Sequence, residues 1–286
     1  MPPGVETMLA SRRLPEQFAA WNRLHGAPFG RVVRGSALLR RCLPASMWER
    51  LRGPFAIQPN NDTRTFEYPW AYYAAFDPEA GRGAALRAGS AAGQPGMKVV
   101  ELGGGLAGFQ FVLDRAGCAV VNIDPGLEAN GVGWPCDEAS MRKLNARFGT
   151  RVDLRPTVAG RAGLDSGAYD RVFSISVLEH LPEGDIREAM ECAFRWLKPG
   201  GLMIMTIDLS LNLYPFCSRQ ANEYGCNQDI HKIVAQQPFE MVSGNPAELY
   251  GFAEFDVDRI LCRLEEYLIG SIYPTMVQCV VLRKPG

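Results

Sequence analysis

The chain has 286 residues, a net charge of −1 and 47% hydrophobic residues. This composition excludes a disordered protein and provides a core for one large domain, or for a domain with a smaller cap. The sequence has neither a hydrophobic leader nor a run of roughly 18 apolar residues, so we expect no signal peptide and no membrane-spanning helix. Its eight cysteines include no C-x-x-C pair, which predicts reduced thiols and a cytoplasmic location.

Charge is unevenly distributed at the start of the chain. The first 60 residues hold nine arginines and three glutamates but no lysine or aspartate. Either these arginines form a solvated helical face, or they attract an anionic substrate or partner. Short helical patterns broken by Pro and Gly predict that residues 1–95 form a helical cap over the substrate. Within it, "FEYPWAYYAAF" places Tyr68 and Tyr72 on one helical face, where their rings would contact a substrate or pack inside the cap.

From residue 97 the pattern changes to apolar strands that alternate with amphipathic helices. Strands are predicted at "MKVVEL", "CAVVNID", "RVDLRP", "YDRVFSISVL" and "LMIMTIDL", and helices at "LAGFQFVLDRAG", "DEASMRKLNARFG" and "GDIREAMECAFRWLKPGG". This alternation predicts a parallel sheet that is covered on both faces. After residue 208 an irregular stretch precedes a helix at "FDVDRILCRLEEYL" and two strand-like runs, "LIGSIYP" and "MVQCVVLRKP". The end of the sheet is therefore expected to be antiparallel.

The first predicted strand runs into a glycine-rich turn, "VVELGGGLAGFQ". Gly103 and Gly105 begin a G-x-G-x-x-G spacing, which lets the backbone approach a ligand and occurs in dinucleotide-binding turns. Glu101 stands two residues before the first of the glycines, where it would repel a pyrophosphate but attract an ammonium or a sulfonium group. Asp124 closes the second strand and is placed to accept both hydroxyls of a ribose. The turn therefore favours a cationic ligand without phosphate.

Four segments in this order resemble the landmarks of class I S-adenosylmethionine-dependent methyltransferases: "VVELGGGLAG", "VVNIDP", "YDRVFSISVLEHLP" and "LKPGGLMIMTI". The resemblance covers about residues 97–208 and is greatest to the small-molecule branch whose fourth strand ends in "LEH". It implies a Rossmann-like, doubly wound seven-stranded α/β sheet with an antiparallel C-terminal strand, and S-adenosyl-L-methionine as the cofactor. The methyltransferase domain would then comprise residues 96–286, with an insertion at 209–250.

The same resemblance implies which residues bind the cofactor. It places Glu101, Gly103 and Gly105 around the methionine moiety, Asp124 at the ribose, Val158 near the adenine, and Ser174 and Ser176 beneath the cofactor. Many relatives carry an acidic residue at the adenine position, whereas "PTVAGRAG" contains none. Either backbone carbonyls hold the adenine amino group here, or the loop aligns differently.

Methyl transfer to a hydroxyl also needs a base that takes the proton of the acceptor. His180 follows the fourth strand, Asp208 ends the fifth strand, and His231 lies in the insertion segment "NEYGCNQDIHK". Each has a structural alternative, respectively a turn cap, a helix N-cap and a surface residue. Cys217, Cys226 and His231 lack the usual zinc spacing and a fourth ligand, so no metal is predicted.

The sequence thus predicts an enzyme that methylates a small molecule, with a hydroxyl as the favoured acceptor and a nitrogen as the alternative. A biosynthetic or sugar-like metabolite, anionic if the basic cap binds it, is the expected substrate, and a homo-oligomer is left open. Glu101 and "LKPGG" disfavour a flavin- or nicotinamide-dependent oxidoreductase. A cofactor-binding module without activity is a further alternative. A nucleic-acid methyltransferase is disfavoured because "SISVLEH" stands where base-modifying enzymes carry an Asn/Asp-Pro-Pro-aromatic signature.

Overall fold

Seven strands form one mixed sheet in the order β3-β2-β1-β4-β5-β7-β6. The computed structural model describes residues 9–33, 40–76, 95–128 and 135–286. The first five strands pair in parallel, whereas β7 is antiparallel to both of its neighbours, β5 and β6. Their bounds are β1 Lys98–Leu102, β2 Ala119–Ile123, β3 Asp153–Arg155, β4 Tyr169–Ile175, β5 Leu197–Ser210, β6 Glu240–Ser243 and β7 Thr275–Arg283. The predicted α/β fold with an antiparallel C-terminal strand is confirmed.

Helices cover both faces of this sheet, as the apolar strands require. In the described part of the chain they are α1 Glu16–His25, α2 Ala45–Arg52, α3 Arg64–Phe76, α4 Phe109–Arg115, α5 Glu138–Phe148, α6 Glu183–Trp196, α7 Ile230–Val234 and α8 Val257–Cys262. One core lies between the sheet and helices α1, α3, α4 and α5. A second core on the opposite face includes the apolar side of α6, which buries Ile186, Met190 and Trp196.

The N-terminal region packs directly on the sheet. The backbone N–H of Ala10 donates to the carbonyl of Val277 in β7 at 2.9 Å. In α3, Tyr68 stacks on Phe109 of α4 with ring centroids 5.5 Å apart, and Phe109 in turn contacts Phe173 of β4 at 5.3 Å. A division near residue 95 stays a prediction, and residues 77–94 lie outside the described part. The cap and the sheet nevertheless share one core.

The prediction of one strand near the C-terminus was wrong. The predicted run "LIGSIYP" lies in an irregular segment before β7, and the strand that pairs with β7 is the four-residue β6. The residues of β6 are exposed or half-buried because it lies at the edge of the sheet. A short, half-buried edge strand has no apolar pattern for sequence analysis to detect.

The helices in the described part of the chain are short or amphipathic. Not one of them is at once long enough and apolar enough to cross a bilayer.

Candidate functional site

The turn after β1 has a backbone shape that requires glycine. Gly103 and Gly105 have φ angles of +65° and +52°, in the left-handed region that other residues rarely adopt. A Cβ atom on Gly103 would also lie 2.6 Å from Cγ1 of Val177, which follows β4. The turn is therefore packed against the end of β4 with no room for a side chain.

We expect Gly103→Ala to reduce the free energy of unfolding by about 1–3 kcal/mol more than Gly149→Ala does. Gly149 has a φ of +67°, so both substitutions introduce the same backbone strain, but a Cβ on Gly149 would have no atom within 4 Å. Urea denaturation of both variants measures the difference. Equal losses would mean that the contact with Val177 relaxes without cost.

Glu101 lies at the end of β1, against the glycine turn, and is 2% exposed. A Cβ atom on Gly104 would come within 2.8 Å of its carboxyl carbon. Burial, with a smaller contribution from Asp124, raises the pKa of Glu101 to about 8. Its Oε2 atom has no hydrogen-bond partner among the described residues. A buried carboxyl group in this state would be stabilised in its charged form by a bound cation.

Asp124 follows β2 and joins that strand to the glycine turn. Its Oδ2 accepts the backbone N–H of Gly105 and its Oδ1 that of Gly126, both at 2.7 Å. Each oxygen keeps a second lone pair, so the carboxylate can still accept hydroxyl groups of a ligand. Burial raises the pKa of Asp124, and these two backbone hydrogen bonds oppose the rise.

Two amide side chains, one from β2 and one from the N-terminal region, form hydrogen bonds with the backbone of the glycine turn. Asn122 of β2 donates to the carbonyl of Gly105 at 2.9 Å and accepts the N–H of Gly104 at 3.2 Å. From the opposite side, Oε1 of Gln58 accepts the N–H of Leu106 at 2.9 Å. These bonds preorganise the turn, since its polar backbone groups are satisfied before any ligand binds.

A buried ion pair of α3 lies over the ends of β4 and β5. Glu67 is fully buried, and its Oε2 accepts hydrogen bonds from the hydroxyls of Ser176 at 2.8 Å and Thr206 at 2.6 Å. Arg64 forms an ion pair with Glu67 and donates to Ser176 Oγ at 2.6 Å. Burial acts to lower the pKa of Arg64, but the surrounding carboxylates, Glu67 first, raise it above its usual value. The guanidinium therefore remains charged.

Two further buried carboxyl groups, Asp208 and Glu179, lie beside this ion pair. Asp208 is in β5, and its Oδ1 accepts the hydroxyl of Ser176 at 3.2 Å. Glu179 follows β4, and its Oε1 accepts the backbone N–H of Asp208 at 3.3 Å. Burial and the charge of Glu179 raise the pKa of Asp208 well above its usual value, and burial raises the pKa of Glu179 to about 7. Two adjacent acids of this kind can keep a proton near neutral pH.

A small cavity opens beside these acids, and Glu179, His180, Asp208, Tyr224, Gly225 and Tyr273 belong to its lining. Its residues 222–226 belong to the insertion and lie close against β4, since a Cβ on Gly225 would come 2.1 Å from the Glu179 carbonyl oxygen. Nδ1 of His180 contacts the carbonyl oxygen of Tyr224. Residues of the insertion thus close one side of the cavity.

The other predicted cofactor residues lie at the same edge of the sheet. Ser174 is buried in β4, opposite Leu102 of β1, and its hydroxyl has no hydrogen-bond partner among the described residues. Ser176 has a φ of +47°, a strained value for a residue with a side chain. Val158 is half-buried and follows β3, where it precedes a short helical turn.

Three predicted substrate or catalytic residues have different surroundings. Tyr68 donates its hydroxyl hydrogen to Asn60 and lies under the Arg64 guanidinium, at the border of the buried cluster. The ring of Tyr72 is instead buried beside Trp21 of α1, with centroids 5.6 Å apart, so it packs within the N-terminal core. His231 is exposed on α7, with its ring against Phe252. Neither Tyr72 nor His231 reaches the described cavity lining, because both rings pack against other aromatic residues.

A model of a protein family described as a methyltransferase domain matches residues 73–237. This match covers more than half of the chain and spans the glycine turn, Asp124, the end of β4 and Asp208. The chain belongs to the methyltransferase-domain family. The class I family predicted from the sequence, and S-adenosylmethionine as its cofactor, are thereby confirmed.

Individual relatives, found by sequence or among proteins of known structure, are more distantly similar. The ubiquinone biosynthesis O-methyltransferase of Pectobacterium atrosepticum is 32% identical over 107 residues, which cover 37% of this chain and 40% of that protein. An S-adenosylmethionine-dependent methyltransferase of Mesorhizobium loti has a TM-score of 0.45 and 13% identity, over 66% of this chain and 91% of the other. The [4+2]-cyclase SpnF has the same TM-score and 15% identity, over 67% and 76%.

The residues at the glycine turn fit the cofactor of this family. S-adenosylmethionine carries an ammonium and a sulfonium group, and the unpartnered Oε2 of Glu101 is a buried acceptor for such charge. A Cβ on Gly103 or Gly104 would clash with neighbouring side chains, so the shape of the turn depends on both glycines. Asp124 retains acceptor capacity for the ribose hydroxyls.

Several polar residues of the site have no clear signal in the amino-acid sequence. Arg64 and Glu67 stand three residues apart in an otherwise aromatic helix, and that opposite-charge pair was the available signal. Glu179 lies within the "LEH" sequence but was given no role of its own. Gln58 and Asn122 carried no signal, since isolated amides are common in loops and strands.

Proposed function

We propose that the protein transfers the methyl group of S-adenosylmethionine to a hydroxyl of a small molecule, with Asp208 as the proton acceptor. One observation supports this assignment above the others: Asp208 is a buried acid near the carboxyl end of β5 that lines a cavity together with Glu179 and His180. Arg64 interacts electrostatically with both Glu101 and Asp208, which links the cofactor and acceptor sides of the site.

The cofactor supplies a methyl group already activated by the positive charge on sulfur. Glu101, the glycine turn and Asp124 would bind and orient it. Because the donor is activated, the remaining requirements are alignment of the acceptor and removal of its proton. The new O–CH3 bond would form as the S–CH3 bond breaks, and the hydroxyl proton would move to Asp208.

The environment of Asp208 suits that role. Its raised pKa makes the carboxylate a stronger base than an exposed aspartate. The Ser176 hydroxyl lies 3.2 Å from Oδ1 and orients the carboxylate. Its single hydrogen is shared between Asp208 and Glu67, and its oxygen accepts a hydrogen bond from Arg64. His180 borders the same cavity and is the second candidate for the proton transfer.

We expect Asp208→Asn to lower kcat by about 10²–10⁴-fold while cofactor affinity changes little. The amide has the same shape but cannot accept the proton. Transfer of a labelled methyl group to a pool of small-molecule hydroxyl compounds measures kcat, and calorimetry with S-adenosylhomocysteine measures affinity. Asp165→Asn, at an exposed loop position, is the matched control. Full activity of Asp208→Asn would transfer the role to His180 or to the substrate itself.

The relatives named O-methyltransferases support a hydroxyl acceptor. A nitrogen acceptor remains the alternative, and acceptor screening with mass analysis of the product separates the two. A dinucleotide oxidoreductase is disfavoured because Glu101 would lie unpaired against a pyrophosphate. A module that binds the cofactor without turnover would show affinity for S-adenosylhomocysteine but no methyl transfer in that screen.

The remaining sequence predictions concern the surroundings of the site. A cytoplasmic location, an anionic acceptor and a homo-oligomer stay predictions. Two arginines of the basic N-terminal region are engaged in the fold, since Arg31 donates to the carbonyl of Leu24 and Arg52 to that of Phe29. They are therefore less available for an anionic substrate than the sequence suggested.

A further inference from the structure

Two carboxyl groups, those of Glu179 and Asp208, line the cavity, and no lysine or arginine is among the described residues of its lining. Arg64 forms an ion pair with Glu67, and no lysine or arginine of the described residues forms one with Glu179 or Asp208. Both acids line the cavity and are about 5% exposed. A ligand that brings a positive charge would therefore complete this group.

One of these acids has an atom free to bind such a ligand. Oε1 of Glu179 accepts the N–H of Asp208, but Oε2 has no hydrogen-bond partner among the described residues. A buried acceptor left without a partner is costly, so an oxygen in this position indicates a missing donor. This observation is independent of the number of acids around the cavity.

Aromatic rings complete the lining. Tyr224, from the insertion, and Tyr273, before β7, stack with centroids 4.7 Å apart and planes inclined by 21°. Aromatic faces beside carboxylates are the surroundings that attract ammonium groups. The space is partly open to solvent and measures about 10 Å³, the lower limit for one water molecule or ammonium head.

We infer that this cavity binds a protonated amine of the methyl acceptor, with Glu179 Oε2 as its hydrogen-bond acceptor and the Tyr224–Tyr273 pair beside it. The inference rests on the proposed methyl transfer and narrows the acceptor to a cationic amino alcohol. A protonated nitrogen has no lone pair, so it anchors the acceptor and does not receive the methyl group. The hydroxyl of the same molecule is then the group presented to Asp208.

A metal ion is a weaker explanation of the same charges. No three His, Cys, Asp or Glu side chains of the described residues are placed to hold one together. An anionic group is disfavoured at pH 8, because Glu179, with a pKa of about 7, is then mostly ionised and would repel it. An ammonium group differs from a metal ion and from an anion because it needs one free acceptor oxygen and an aromatic surface. The cavity provides both of these.

The test uses the full chain and isotope-labelled methylammonium as the probe, titrated by NMR at pH 8 and constant ionic strength with sodium as the competing cation. We expect saturable binding to the wild type and at least a tenfold loss of affinity in Glu179→Gln. Glu183→Gln, an exposed position at the start of α6, should bind like the wild type. S-adenosylhomocysteine affinity, measured on each variant, shows that the fold and the cofactor turn are intact.

The outcomes separate the two proposals. Binding that is absent, or that is equal in the wild type and Glu179→Gln, overturns the ammonium site even if labelled methyl groups reach a neutral alcohol. Methylammonium binding that depends on Glu179 supports the ammonium site. If the wild type does not bind S-adenosylhomocysteine at all, the proposed methyl transfer is overturned instead.

Discussion

Replacing Glu101 by Gln is expected to stabilise the cofactor-free protein at pH 8 by about 2–4 kcal/mol, at ~1.4 kcal/mol per pKa unit, and to abolish most cofactor affinity. The pKa of Glu101 is about 8 in the folded chain, against a usual value of 4.5. Between these two values the folded state binds more protons than the unfolded state. The free energy of unfolding therefore falls as pH rises from 4.5 to 8. An amide of the same shape removes this loss, and it also removes the negative charge that would pair with the cofactor.

Urea unfolding at pH 5, 6.5 and 8 measures the first effect. The free energy of unfolding should decrease less with rising pH in Glu101→Gln than in the wild type. Glu254→Gln, at an exposed position, is the control and should follow the wild type. Calorimetry with S-adenosylhomocysteine measures the second effect. Cofactor affinity of the wild type should rise with pH up to about 8, because binding requires the carboxylate. An unchanged affinity in Glu101→Gln would remove this residue from the site.

Arg64→Gln is expected to have the largest effect on stability, a loss of about 3–5 kcal/mol at pH 8. Arg64 is the ion-pair partner of Glu67, whose side chain is fully buried. Without the guanidinium, Glu67 and the neighbouring Asp208 would remain as buried charges with no cation. The pKa of Asp208, which burial already raises, would rise further, so the loss should become smaller as pH falls and this carboxyl group takes up a proton.

The control for this variant is Arg23→Gln. Arg23 also pairs with a glutamate, Glu16, at 2.7 Å, but the two side chains are 67% and 82% exposed. Exposed pairs contribute less than about 1 kcal/mol, so this variant should unfold close to the wild type. Comparison of the two variants by urea unfolding at pH 5 and pH 8 isolates the effect of burial. Equal and small losses would show that the charges around Glu67 are already neutralised by protonation.

Much of the fold was predictable because its signal is local. The strands that became β1, β2, β4 and β5 are near-continuous apolar runs, and α5 begins at an Asp cap and ends at a glycine, Gly149, as its sequence predicts. The edge strand β6 was missed since it is short and half-buried, and its pairing with β7 depends on residues far along the chain.

The proximity of Glu101, the glycines and Asp124 was also predictable, because they lie at or just after the carboxyl ends of strands that meet at one edge of a parallel sheet. The acceptor side was not. Glu67 and Ser176 are 109 positions apart in sequence, yet their side chains are hydrogen-bonded. The insertion likewise brings Tyr224 to Tyr273. No local pattern in the sequence encodes either contact.

The sequence by itself determined the class of the sheet, the glycine turn and the carboxylate that precedes it, because each depends on residues adjacent along the chain. Only the tertiary structure decided that α3 inserts Arg64 and Glu67 into the site, and that Glu179 keeps a free oxygen there. The physical reason is burial: the pKa and the partner of an acid depend on which distant segments exclude water from it, and those contacts exist only in the folded chain.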